Sequence, residues 1–202
     1  MTERIIIGVD EAGRGPLCGP VSLGIVAIAE SEYEKIKSEN IFPVGKDSKK
    51  MTEKQREKYF GIINELKSAG RLRYGVFFES AKIIDQRGIA VAIRLAISKG
   101  FKSLGIAPEL ATVKLDGSLK APMEYKDQET IIEGDEKEQI IGLASICAKV
   151  LRDHLMLKMH EKYPQYSLDK HKGYGTKAHY EALAKHGPCP EHRRSFLHSA
   201  KK

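Results

Sequence analysis

Residues 4–29 read RIIIGVDEAGRGPLCGPVSLGIVAIA, two apolar runs parted by a segment dense in Gly and Pro. The isoleucine-rich run over 4–9 hardly alternates, as expected of a strand buried on both faces, and it stops at Asp10-Glu11. The Gly- and Pro-rich stretch that follows predicts a tight connection into a second strand over 21–29, a hairpin-like start to a sheet. Further along, Thr52 with Gln55 three residues later fits a capping box opening a helix that carries Tyr59, Phe60, Ile62, Ile63 and Leu66 on one side. Strands are expected over 72–78, over 111–116, which stops at the turn dipeptide Asp116-Gly117, and over 130–133. Helices are expected over 83–98, 178–185 and 137–163. In the last of these, Ile140, Leu143, Ala144, Cys147, Leu151 and Leu155 recur at three- and four-residue steps until Pro164 ends the run. Early strands followed by alternating strands and helices predict the α/β class, a mixed β-sheet flanked by helices with a small helical C-terminal extension. Residues 1–202 read as one domain, with a core to about 163 and a basic appendage over 164–202.

Composition narrows the class further. With 41% hydrophobic and 30% charged residues the chain is neither disordered nor fibrous. Its apolar runs fall far short of the roughly 18 residues a membrane helix needs, and the first of them ends in acids rather than at a small-residue cleavage site. Cys18, Cys147 and Cys189 are odd in number and far apart, which does not suit a disulfide framework. The expectation is a reduced, cytoplasmic monomer with no membrane contact.

Charge is informative by place. Of the 34 Lys/Arg and 27 Asp/Glu, eleven and five respectively lie from Val150 onward, so nearly all of the net +7 sits in the last quarter, together with all seven histidines. Such an end suits a polyanion, although a merely solvated basic surface accounts for the charge equally well.

The acids carry the sharper signal. Asp10 and Glu11 end one apolar strand and Asp116 ends another; one such acid is ordinarily a turn or cap residue, but two strands ending this way in one sheet call for a cation. Asp153 falls on the rim of the long helix's apolar arc, beside Ile146, Val150 and Leu157. Four carboxylates without Cys or His among them suit Mg²⁺ or Mn²⁺ better than zinc, and such sites serve in-line displacement at phosphorus. Weaker patterns are set aside. Gly13-Arg14-Gly15 with Gly19 has the wrong spacing for a dinucleotide loop and leads into a strand. His186, Cys189 and His192 lack a fourth zinc ligand at suitable spacing and read better as an ordinary loop.

Five segments together resemble ribonuclease HII, the bacterial type 2 ribonuclease H family: GVDEAGRGPLCGPV (8–21), KDSKK (46–50), LDGS (115–118), ASICAKVLRD (144–153) and HKGYGTKAH (171–179). They stand in the family's order and span nearly the whole chain, and the intact Gly13-Arg14-Gly15 run favours the HII branch over ribonuclease HIII. The resemblance implies a ribonuclease H-like fold and metal-dependent hydrolysis of the RNA strand in RNA–DNA hybrids. It also implies cutting 5′ of single ribonucleotides embedded in duplex DNA, leaving 5′-phosphate and 3′-hydroxyl ends. Asp10, Glu11, Asp116 and Asp153 would be the catalytic metal ligands, Asp10 shared by two Mn²⁺ or Mg²⁺ ions, one bound without substrate and a second with it. Gly13, Arg14 and Gly15 would touch the ribose 2′-hydroxyl, Tyr174 would pack on the following deoxyribose, and Lys46, Ser48 and Lys49 would hold phosphates. Cys18 stands where the family commonly has alanine, and Gly88 where asparagine is frequent. Two other readings stay open on the residues alone: a non-catalytic nucleic-acid-binding module with structural acids, and a metal-dependent DNA nuclease with no need of a 2′-hydroxyl reader.

Overall fold

In the computed structural model, which describes residues 3–42 and 51–197, five strands form one sheet. They are β1 (Ile5–Ala12), β2 (Val21–Ala29), β3 (Arg73–Glu79), β4 (Ala111–Asp116) and β5 (Gln128–Ile131), in the order β3-β2-β1-β4-β5. The first three are antiparallel neighbours, and β1, β4 and β5 run parallel. The helices are α1 (Glu30–Ser38), α2 (Glu53–Ser68), α3 (Ala81–Arg87), α4 (Ile89–Leu104), α5 (Gly134–Lys137), α6 (Gln139–Lys162), α7 (Leu168–His171), α8 (Lys177–His186) and α9 (Arg194–Leu197). The expected mixed sheet with flanking helices is present.

Pleating divides the core. Ile7, Val9, Leu23 and Ile25 face one side, where α4 lays down Ile93, Ile97 and Phe101 at helical spacing. Ile6, Val26 and Ile28 face the other, against α1, α2 and the first half of α6. A third cluster, Cys18, Met156, Tyr166, Leu168 and Cys189, joins the C-terminal extension to the end of α6 and to the β1–β2 connection. Helix α6 lies unusually close to the sheet. A Cβ on Gly8 would collide with the Ile140 carbonyl and one on Gly24 with the Ala144 carbonyl, so only glycine lets the helix backbone rest on the strands there. That contact fixes which residues of α6 reach the end of β1.

Several boundaries differ from the sequence expectation for identifiable reasons. Strand β1 runs on through Asp10 and Glu11 to Ala12, because Asp10 pairs with Gly24 and Glu11 with Leu23 in the ladder. Its acids are therefore paired strand residues near the strand's end. The helix expected over 83–98 is two, broken at Gly88, whose φ of 79° no helix contains. The helix expected over 137–163 is also two, parted by the extended Glu138. Strand β5 begins and ends two residues earlier than expected, and α1 was not anticipated because its polar sequence buries only Tyr33 and Ile36. The Thr52–Gln55 capping box is present as read.

Candidate active site

Asp10 and Asp116 are neighbours by construction. The parallel register pairs Val9 with Leu115, so the next residue on each strand places two carboxylates side by side. By the pleat both belong to the face that α6 covers, and Asp10 is only 3% exposed. The Asp10 carboxylate accepts the Glu11 N–H at 2.7 Å and the Ser145 hydroxyl from α6. Asp116 accepts the Gly134 N–H at 2.7 Å. Burial first, and then the negative charge of Asp116, push the Asp10 carboxyl well above the ordinary carboxylate range; Glu11 and Asp135 add to the push and Ser145 opposes it.

Around this pair lies a cleft of about 300 Å³. It gathers Asp10, Glu11, Gly13, Arg14, Gly15, Asp116 and Tyr174 from three separate parts of the chain, and adds Ser145 and Lys149 from α6. Arg14 is half-exposed with its Nη1 3.5 Å from Glu11 Oε1, and it also borders a larger depression of about 390 Å³ walled by Arg94, Ile97, Leu119 and Lys120. Tyr174 is 43% exposed, and Lys149 Nζ sits 5.8 Å from its ring centre. Burial lowers the Lys149 ammonium pKa, against the pull of Asp153.

Asp153 stands apart from the other three acids. It is buried one turn beyond Lys149, bonded to Lys149 Nζ at 2.9 Å and 3.8 Å from Arg56, and it meets the cleft through Lys149 rather than by lining it. Lys46, Ser48 and Lys49 lie outside the described residues.

Sequence reasoning did not find Ser145, Lys149 or Asp135. The first two were within reach, since Ser145, Lys149 and Asp153 are spaced four apart on one helix and so share a face. It also missed two buried arginines that hold the connection after β1. Arg152 donates to the carbonyls of Pro20, Cys18 and Lys172, and Arg193 to those of Gly13, Arg14 and Gly19. Gly13, with φ of 84°, packs against Arg152 where any Cβ would strike the guanidinium. Nothing local in a basic HRRSF tail marks one arginine as fully buried.

A family model described as ribonuclease HII matches residues 7–199. The chain belongs to the ribonuclease HII family. It is 44% identical over 191 residues to the ribonuclease HII of Endomicrobium trichonymphae, covering 95% of this chain and 84% of that protein. It is likewise 44% identical over 195 residues to that of Caldicellulosiruptor bescii, covering 96% and 87%. The crystal structure of ribonuclease H2 from Pyrococcus horikoshii superposes with a TM-score of 0.66 at 30% identity, over 95% of this chain and 93% of that one. As a ribonuclease HII the protein is a metal-dependent ribonuclease H, a hydrolase of the RNA strand in RNA–DNA hybrids. Among the described residues no helix is long and apolar enough to cross a membrane.

Proposed function

We propose that this ribonuclease HII cuts both within the RNA strand of hybrids and 5′ of a single ribonucleotide embedded in duplex DNA, leaving 5′-phosphate and 3′-hydroxyl ends. The observation that supports it is the composition of the cleft: the adjacent carboxylates of buried Asp10 and partly buried Asp116, the Gly13-Arg14-Gly15 run and an exposed aromatic ring converge on one depression. Sugar reading falls to backbone groups of Gly13 and Gly15, since a 2′-hydroxyl is both donor and acceptor and is what distinguishes RNA from DNA at one sugar. Arg14 meets phosphate without reading sequence. Lys46, Ser48 and Lys49 are assigned to phosphates further along the strand.

The donor set fits a hard divalent cation. Asp10 is buried with the Asp116 carboxylate beside it, and the rise in the Asp10 pKa that burial and this neighbour produce is what an adjacent cation relieves. Asp10, Glu11 and Asp116 would hold Mg²⁺ or Mn²⁺, one ion in the free enzyme and a second with substrate, with Asp153 joining once its link to Lys149 is exchanged. Bound there, such ions supply an activated water and a counter-charge for the leaving oxygen. Lys149, released from Asp153, is placed to meet the phosphate. We further assign the whole of 1–202 to one functional unit, because Tyr174 and Arg193 of the C-terminal extension serve the same cleft as β1. Free, buried cysteines and scattered exposed apolar side chains fit a cytoplasmic monomer.

The test uses three labelled duplexes with Mg²⁺ or Mn²⁺: a continuous hybrid, DNA with one ribonucleotide, and all DNA. Cleavage of the first two only, with mass spectrometry giving a 5′-phosphate on the downstream product, is expected. Cutting of the all-DNA duplex would point instead to a general nuclease, and no cutting at the single ribonucleotide would confine the enzyme to hybrids.

A further inference from the structure

The structure places a second set of metal-ligating side chains away from the carboxylates. Cys18, Cys189 and His192 each offer a ligand atom, and these atoms lie within 4.8 Å of one another. Cys189 Sγ is 3.1 Å from His192 Nδ1. His186, the third member of the pattern visible in the sequence, instead turns its ring edge-on to Tyr166. Cys18, more than 170 residues away in the chain, takes its place, brought there by the antiparallel bridge between Cys18 and His192.

We propose that Cys18, Cys189 and His192 form a zinc site that staples the β1–β2 connection to the C-terminal extension. The imidazole is already in the tautomer a metal requires. His192 Nδ1 accepts the Cys189 N–H at 3.0 Å and is therefore the unprotonated nitrogen, with Cys189 Sγ 3.1 Å from it. Its Nε2–H then points to His179 Nε2 at 3.0 Å, whose own Nδ1–H donates to the Tyr174 carbonyl at 2.9 Å. A ligating histidine whose remote N–H is held by an acceptor, itself held, is the usual outer partner arrangement of metal sites. Tyr166 packs against the His192 ring at 4.7 Å and limits its rotation.

Donor chemistry and charge select the ion. Two sulfurs and one imidazole nitrogen suit zinc and disfavour Mg²⁺ and Mn²⁺, so the two sites do not compete for one metal. Binding Zn²⁺ as the dithiolate releases two protons and leaves the cluster with no net charge, which matters because the guanidiniums of Arg152 and Arg193 are buried on the same loop, bonded to the Cys18 and Gly19 carbonyls. Three protein donors leave one tetrahedral position for water or a small anion. The metal would take over the Nδ1 electron pair from the Cys189 N–H. Zinc here would hold the Gly13-Arg14-Gly15 run of the cleft from two directions: Cys18 follows that run by three positions, and His192 precedes Arg193, which bonds the Gly13 and Arg14 carbonyls.

The experiment uses the full chain, reduced, stripped with chelator and exchanged into chelator-free buffer, then titrated with Co²⁺ and with Zn²⁺. We expect one equivalent of Co²⁺ to develop thiolate-to-metal charge-transfer absorption that Zn²⁺ abolishes. Zinc should raise the Tm and protect two of the three thiols from a thiol reagent. Cys18→Ala and Cys189→Ala should each weaken zinc binding at least about 100-fold, since even outer partners of a ligating histidine are worth 10- to 100-fold. Two variants are used so that a folding failure in one leaves the other to decide. Absence of the charge-transfer band, or a band unchanged in either folded variant, overturns the site. So does a mass two hydrogens lower in protein prepared under reductant, which would mean that Cys18 and Cys189 form a disulfide instead.

Discussion

Arg193 Nη2 donates to the Gly13 carbonyl at 2.7 Å, across 180 residues of sequence, and its Nη1 reaches the Arg14 carbonyl at 2.9 Å. A buried guanidinium thus sets the backbone of the run assigned to reading the sugar. Substituting Arg193→Met leaves three inward-facing carbonyls without a donor, at about 1 to 3 kcal/mol for each that water cannot reach. Loss of a buried charge offsets part of this, so a net destabilisation of about 2 to 4 kcal/mol is expected by urea unfolding. At a temperature where the variant is folded, KM for a hybrid should rise at least about tenfold, a loss of roughly 1.4 kcal/mol in binding. Unchanged KM in folded protein would mean that Arg193 only holds the extension in place.

The acidic pair makes opposite predictions for stability and for chemistry. Because burial and Asp116 raise the Asp10 carboxyl, ionised Asp10 works against folding at neutral pH in metal-free protein. Asp10→Asn should therefore raise the Tm of the metal-free enzyme while lowering hybrid cleavage more than about 100-fold, equivalent to about 3 kcal/mol of transition-state stabilisation. The Tm increase that Mg²⁺ or Mn²⁺ gives the native enzyme should shrink in the same variant. A variant that melts lower than the native protein without metal would show that the Ser145 and Glu11 hydrogen bonds outweigh the repulsion.

Much of this arrangement is legible in the chain, and the residues that are not share a physical cause. The strand–connection–strand start, the capping box at Thr52 and the acids at strand ends all declare themselves through local pattern. The apolar run marks β1 only to Val9, while the ladder carries it through Asp10 and Glu11 to Ala12 on pairings that a sequence does not display. The break at Gly88 was hidden by an apolar run that continues on both sides of it. Arg152 and Arg193 look like ordinary basic residues, and only the fold shows that carbonyls more than a hundred residues away surround them. Cys18 gave no sign of its partners for the same reason.

Asp85 supplies a pH test of how the end of the chain is docked. Partial burial would raise this carboxyl, but the Ser195 hydroxyl and N–H, with the Arg194 N–H, outweigh it and hold Asp85 below the ordinary carboxylate range. A depressed folded-state value means that the stabilisation is complete above the unfolded pKa of 3.8 and is lost as pH falls through the lower folded value. Asp85→Ala should therefore cost roughly 1 kcal/mol at pH 7, the usual worth of a helix cap. The gap between variant and native protein should close as the pH is taken below the ordinary range. A gap that persists undiminished in acid would assign the effect to packing rather than to the ionised carboxylate.

The proposed selectivity for the junction between RNA and DNA is assigned to Tyr174. Its backbone is pinned, the N–H to the His171 carbonyl at 2.9 Å and the carbonyl to His179 Nδ1 at 2.9 Å, while the ring stands on the cleft rim beside Lys149. A tyrosine that served only to pack the extension would bury that ring, as Tyr166 does at 2% exposure; Tyr174 is at 43%. An aromatic face against nucleic acid contributes about 1 to 3 kcal/mol. If part of that acts in the transition state, Tyr174→Ala should lose roughly 10- to 100-fold in cutting at a single embedded ribonucleotide. Tyr174→Phe, which keeps the ring, should lose little. On a continuous hybrid the sugar after the cut is a ribose, and the loss from Tyr174→Ala should be smaller. Steady-state rates on the two substrates measure the difference directly: equal losses on both, or no loss on either, would show that the ring does not sense the deoxyribose.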